Sequence, residues 1–245
     1  MLVGQANAEK YGDVIPSIYE SVDGVVGKVL ARADENTTII LMSDHGFAPF
    51  RRAVHLNTWL KNEGYITLID ESKQEESKYF LNVDWARTRA YGLGFNGLYL
   101  NLRGREMYGS VTRREKAAIL DEITEKLLAL RDPKTGSRVV LRVYRSEEVY
   151  SGVNMEYAPD LVVGFNRGYR ASSETALGEF PKEWIEDNMD AWSGDHMMAA
   201  ELVPGILLSN KKIRAKDPKL YDLAPTILSE FGVEKNSDMV GESIF

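Results

Sequence analysis

The chain contains no cysteine. That excludes a disulfide framework and any thiolate metal site, so a zinc ion would have to sit on histidine, aspartate or glutamate. Histidine is scarce as well, with three in 245 residues, and each one can be weighed separately. No apolar run approaches the roughly 20 residues of a membrane-spanning helix, and Met1-Leu2-Val3-Gly4 lacks the charged start and apolar middle of a signal peptide. No membrane association and a cytoplasmic location are the resulting expectations. Positive charge is also in deficit: the formal net charge of -7 argues against general nucleic-acid binding, which needs clustered Lys and Arg to neutralise phosphates. It leaves open a small phosphate ester held through metal.

What the chain has is apolar content, 44% of its residues, enough for a substantial core in one large domain or a domain with an insertion. Helical and strand signals alternate as in an α/β protein. From Ile15 to Ala33 the residues Ile18, Val22, Val25, Val26, Val29 and Leu30 recur at helical spacing, with Pro16 suited to a first turn. Thr38 to Met42 reads as a buried strand. Asn57 is expected to cap a short helix at Thr58–Lys61, with Gly64 as its stop and Tyr65 to Leu68 as a returning strand. Asp70 to Lys78 is a polar, exposed loop by composition.

Residues 80–150 have a different texture, with short strands around Tyr91 and Leu98 interrupted by glycine turns, and are expected to form a small inserted α+β region. Within them Thr112 and Glu115 form a capping box before a helix carrying Ile119, Leu120, Ile123, Leu127 and Leu128. Strands are expected at Val139–Val143, Leu161–Phe165 and Pro204–Leu208, the last two continuous enough for burial on both faces of a parallel sheet. Leu223–Phe231 closes the chain as a helix ended by Gly232.

The chemistry gathers at Asp44-His45, where the apolar run Thr38–Met42 ends and Gly46-Phe47 follows. A carboxylate beside an imidazole at a strand end is a ready pair of ligands for a divalent metal. His196, in the loop Trp192-Ser193-Gly194-Asp195-His196-Met197, either reaches the same sheet edge or is an ordinary polar loop residue. Asp195 is a ligand, an outer carboxylate orienting an imidazole, or a loop cap, with the latter two favoured. His55 reads as structural, and Ser43 as a group that satisfies local backbone rather than a nucleophile. Arg51 and Arg52 could approach an anion but fit a solvated face, while Tyr91, Phe95 and Tyr99 fit packing better than base stacking.

The order Ser43-Asp44-His45-Gly46-Phe47, Val54-His55-Leu56-Asn57-Thr58-Trp59-Leu60, Ala158-Pro159-Asp160-Leu161, Gly194-Asp195-His196 and Asp222-Leu223-Ala224-Pro225-Thr226 resembles the type I phosphodiesterase/nucleotide pyrophosphatase family of the alkaline phosphatase superfamily. The resemblance implies an alkaline-phosphatase-like, mostly parallel sheet with helices on both faces. It also implies a site for two divalent ions, zinc or in some members manganese, acting on a phosphodiester or nucleotide-like small molecule. Asp44 and His45 match the ligand pair of one ion and His196 a ligand of the other. The family's early Asp, its Thr or Ser nucleophile at a helix start and its later Asp-x-x-x-His pair have no counterpart here. On that resemblance residues 1–245 are the carboxyl-terminal part of one such domain, incomplete at its N-terminal side, with no catalytic nucleophile of its own. An apolar sheet surface left uncovered would then favour self-association. A non-catalytic fold remnant or interaction module is the alternative.

Overall fold

A computed structural model describes residues 9–245; the expectations for Met1–Gly4 fall outside them. The chain divides into two compact units, one formed by Phe47–Pro204 and the other by the described residues up to Gly46 together with Gly205–Phe245.

Phe47–Pro204 is a mixed α/β unit built on two sheets. In one, β3 (Ala90–Leu93), β4 (Gly97–Leu100), β6 (Leu161–Phe165) and β5 (Val140–Arg145) lie in that spatial order, every pair antiparallel. In the other, β2 (Ala48–Val54) is flanked by β7 (Gly168–Ala171) and β8 (Ile185–Asp187) and also pairs with β9 (Gly194–Asp195). Parallel pairing occurs here between β2 and β7, with Val54 opposite Ala171. β6 sits between β4 and β5 with Leu161, Val163 and Phe165 fully buried, as its apolar run suggests, but both neighbours are antiparallel to it, so the expected place in a parallel sheet is not met.

The long helix α3 (Arg113–Ala129) covers part of this core with Ile119, Leu120, Ile123 and Leu127, the residues its 3.6-residue period places on one face. Its capping box is present: the Glu115 carboxylate accepts from the Thr112 N–H at 2.9 Å, satisfying a donor that the first helical turn leaves without a partner.

Two further expectations in this unit need correction. The short helix α2 spans Leu56–Asn62 with His55, not Asn57, at its N-cap. Asn57 is buried inside it and acts at long range: its Nδ2 donates to Gly92 O (3.1 Å) and Thr175 O (3.2 Å), and its Oδ1 accepts from Gly92 N (2.7 Å). Asn57→Ala would strand these buried backbone groups, so urea unfolding is expected to show a loss of about 2–3 kcal/mol. The second correction concerns Tyr65–Leu68, which forms no strand beyond an isolated bridge from Leu68 to Val83. Its backbone bonds go instead to an irregular segment, with Tyr65 O accepting from Arg89 N and Thr67 N donating to the Thr88 hydroxyl.

In the second unit, β1 (Ile40–Met42) pairs antiparallel with β10 (Leu207–Ser209) as a two-stranded ribbon. The expected burial of Pro204–Leu208 on both faces is not met, because Ile206 and Leu208 are exposed and a two-stranded ribbon has no inner position. The closing helix α4 (Leu223–Glu230) buries Pro225 and Thr226, and the Thr226 hydroxyl accepts from the N–H of the buried Ile244. Gly232, at φ 67°, supplies the left-handed stop. Helix α1 (Val14–Leu30) has no buried residue, and Ile15, Ile18, Val22, Val25 and Val29 are exposed along it.

Candidate metal centre

Asp44 and His45 follow β1 after Ser43. Their loop is held by Ser43, whose backbone N–H donates to Ile206 O at 3.1 Å while its Oγ accepts from Ile206 N at 3.0 Å. The hydroxyl therefore serves backbone. Gly205 is required beside it, since a Cβ there would stand 2.5 Å from the Ser43 carbonyl oxygen. Ser43 and Asp44 line a cavity of about 280 Å³ together with Met42, Lys219 and Leu223.

Asp44 Oδ2 lies 3.4 Å from His45 Nε2. Two ligands of one tetrahedral ion, each bonded at ~2.0–2.1 Å, stand roughly 3.3 Å apart, so the pair has the spacing of two ligands on a shared ion. His45 Nδ1 is 2.9 Å from Gly46 O. Donation from a protonated Nδ1 to that carbonyl selects the tautomer whose Nε2 lone pair is available for coordination. The other Asp44 oxygen accepts from the His45 backbone N–H at 3.1 Å, which turns the carboxylate toward the imidazole. Asp44 is largely solvent-accessible and His45 less than a third so.

Asp195 and His196 belong to Phe47–Pro204. β9 places Asp195 opposite Ala48 of β2, and the buried carboxylate is saturated with donors. Oδ1 accepts from the His196 and Met197 amides at 2.7 and 2.9 Å; Oδ2 accepts from Arg170 Nη1 at 2.5 Å and Trp192 Nε1 at 3.1 Å. Burial alone would raise its pKa, but the Met197 amide and the Arg170 guanidinium outweigh burial and hold it below the usual carboxylate range. This carboxylate shapes the loop that carries His196, whose ring meets Phe47 edge-on at 5.7 Å. Arg170 did not stand out in the sequence, because nothing local marks a partner 25 residues away; Trp192 lies three residues from Asp195 in the same loop.

The remaining candidates have structural partners. His55 is buried, with Nδ1 2.8 Å from Ser172 Oγ and Nε2 3.1 Å from Glu186 Oε1. Arg52 is paired with Asp187 at 2.6 Å and Asp132 at 3.0 Å. Asp44 and His45 are thus brought together, and so are Asp195 and His196, one pair in each unit. Among the described residues no three His, Asp or Glu side chains form a metal cluster.

A family model described as type I phosphodiesterase / nucleotide pyrophosphatase matches residues 6–190, which is most of the chain and includes Asp44 and His45. The chain belongs to the type I phosphodiesterase/nucleotide pyrophosphatase family. The comparison with curated proteins gives no match. Membership makes this chain part of a family of phosphoryl-transfer hydrolases with nucleotide-like, small-molecule substrates. His196 lies beyond the matched span. Among the described residues no helix is long and apolar enough to cross a membrane.

Proposed function

We propose that this chain serves a metal-dependent phosphodiesterase or nucleotide pyrophosphatase, with Asp44 and His45 holding one divalent ion and His196 contributing to a second. The family match over residues 6–190 carries the reading, and the 3.4 Å spacing of Asp44 Oδ2 and His45 Nε2 supports it. Zinc is the favoured metal, with manganese next, because an imidazole and a carboxylate without thiolate suit both. When bound, such ions neutralise charge on phosphate oxygens and lower the pKa of an attacking hydroxyl. In this reading Asp44 supplies negative charge to the cation, and the contact of His45 Nδ1 with Gly46 O orients the ring so that Nε2 faces it. Asp195 fixes the loop of His196 through its four hydrogen bonds. Ser43 is not assigned as nucleophile, since its Oγ accepts the Ile206 amide.

The reading includes an alkaline-phosphatase-like sheet, to which β2 and β7 contribute the parallel pairing, and a cytoplasmic setting. It is tested by hydrolysis of a chromogenic phosphodiester with zinc or manganese added. Metal-dependent turnover abolished by a chelator supports it; turnover indifferent to metal and chelator would sink it. If neither metal yields turnover, calorimetry still tests the metal site, and absence of zinc binding would favour a fold remnant without catalytic function.

Self-association follows in this proposal from the apolar residues exposed on α1 and from Ile206 and Leu208 at the ribbon. Sedimentation velocity is expected to show dimers or larger species, weakened by Val22→Glu on α1. A monomer across the micromolar range would refute this.

A further inference from the structure

The loop that carries His196 is held from a distance. Arg170 stands on β7 opposite Ala53 of β2, and Asp195 on β9 opposite Ala48 of the same strand. The arginine reaches the carboxylate across the Phe50 ring, with its guanidinium 4.5 Å from that centroid and 5.2 Å from the centroid of Phe95. A cation over aromatic faces is favourable, and a planar guanidinium stacks there as an ammonium cannot. Phe95 thus has the packing role rather than the stacking one.

Every guanidinium nitrogen has its own acceptor. Nε donates to Ala171 O at 2.9 Å, Nη1 to Asp195 Oδ2 at 2.5 Å and Nη2 to Ser173 Oγ at 3.4 Å. Both Arg170 and Asp195 are largely shielded from solvent, so their attraction is little weakened by water or salt. Trp192 Nε1 shares Oδ2, and the His196 and Met197 amides take Oδ1. A carboxylate has about four lone-pair sites, so Asp195 is committed to these four donors and has no oxygen left for an ion.

His196 itself is open to one, with 39% of its side chain accessible. Asp195 Oδ1 lies 3.6 Å from His196 Nδ1, too far for a hydrogen bond but close enough to set negative charge beside that nitrogen. Nδ1 is buried, which leaves Nε2 for coordination. Without Arg170 the buried Asp195 charge would lose its counter-ion, a costly state that favours movement of the carboxylate out of its place. Its two oxygens move together, so the amides that turn the chain at His196 would lose their acceptor as well.

We propose that Arg170 is a positioning residue for the second metal site: through Asp195 it holds His196 where an ion can bind, and it keeps Asp195 off that ion. The inference rests on the reading of His196 as a metal ligand. Arg170 touches neither ion nor substrate in it.

The test titrates the full chain with zinc alone and follows the imidazole ring signals by nuclear magnetic resonance, which three histidines make assignable. Arg170→Met keeps an apolar stem over Phe50 and removes the donors. Its His196 signal is expected to respond at about 10–100-fold higher zinc, the cost of losing a residue that supports a metal ligand, with the His45 midpoint unmoved. Arg170→Lys returns a donor to Asp195 and is expected to fall between Arg170→Met and the natural chain. Trp192→Phe alters a ring that is 61% exposed and removes one neutral donor from Oδ2, so a weakening of about two- to tenfold at His196 is expected; this variant decides the matter should Arg170→Met not fold. An unchanged His196 midpoint in either variant, or equal movement of His45 and His196, would overturn the proposal. A His196 ring in the natural chain that ignores zinc while His45 responds would remove His196 from the metal reading, and this inference with it.

Discussion

Asp44→Ala is expected to abolish zinc binding at this loop and to lower metal-dependent diester hydrolysis by at least about 100-fold. The magnitude follows from position. Changes to residues that merely support a metal ligand cost about 10–100-fold, and Asp44 is proposed to touch the ion itself. Its carboxylate, 3.4 Å from His45 Nε2, would be half of the ligand pair supplied by this loop, and an imidazole alone binds a divalent ion weakly. The backbone should hold, because the Ser43–Ile206 hydrogen bonds do not involve the Asp44 side chain. Unchanged circular dichroism beside lost zinc heat in calorimetry would therefore isolate the effect to the ligand. Zinc affinity and turnover that survive Asp44→Ala would remove this residue from the site.

Asp160→Ala is expected to destabilise Phe47–Pro204 by about 3 kcal/mol, or roughly 6–12 °C in unfolding temperature for a unit of this size. Asp160 is buried at the start of β6 and accepts from Leu100 N at 2.8 Å, Arg105 Nη2 at 2.8 Å and Lys116 Nζ at 2.5 Å. Removing the carboxylate leaves the half-buried Arg105 short of its counter-ion. The figure sits at the low end for broken buried pairs because Lys116 reaches solvent.

The same carboxylate sets a pH dependence. Burial would raise its pKa, but hydrogen bonds from Arg105 and Lys116 outweigh burial and depress it. Asp132 is likewise depressed, by the Lys134 amide, Tyr169 and Arg52 against the effect of burial. A group depressed in the folded state releases its proton more readily there than in the unfolded chain. Its stabilisation is complete above the unfolded value, near 4, and is lost as pH falls through the folded value. Chemical denaturation should show stability level with respect to these groups from neutrality down to about pH 5 and falling below about pH 4, with a shallower acid loss in Asp160→Ala. An acid limb identical in the variant would contradict the assignment.

The amino-acid sequence by itself determined the features whose causes lie within a few residues. The periods of α1 and α3 are visible because a helix repeats every 3.6 residues, and the Thr112–Glu115 box because a cap spans one turn. Asp44 and His45 could be paired from sequence because covalent neighbours at a strand end stay close whatever the rest of the chain does. The family was legible for a related reason, since its motifs are short and ordered. Tertiary structure decided everything that depends on distant partners. It turned Asn57 from an expected cap into a brace between Gly92 and Thr175, left Ile206 and Leu208 exposed at a two-stranded ribbon, and gave Asp195 to Arg170. Such pairings are settled by which buried polar groups find partners and which apolar faces meet, and those energies are shared between segments that no local pattern connects.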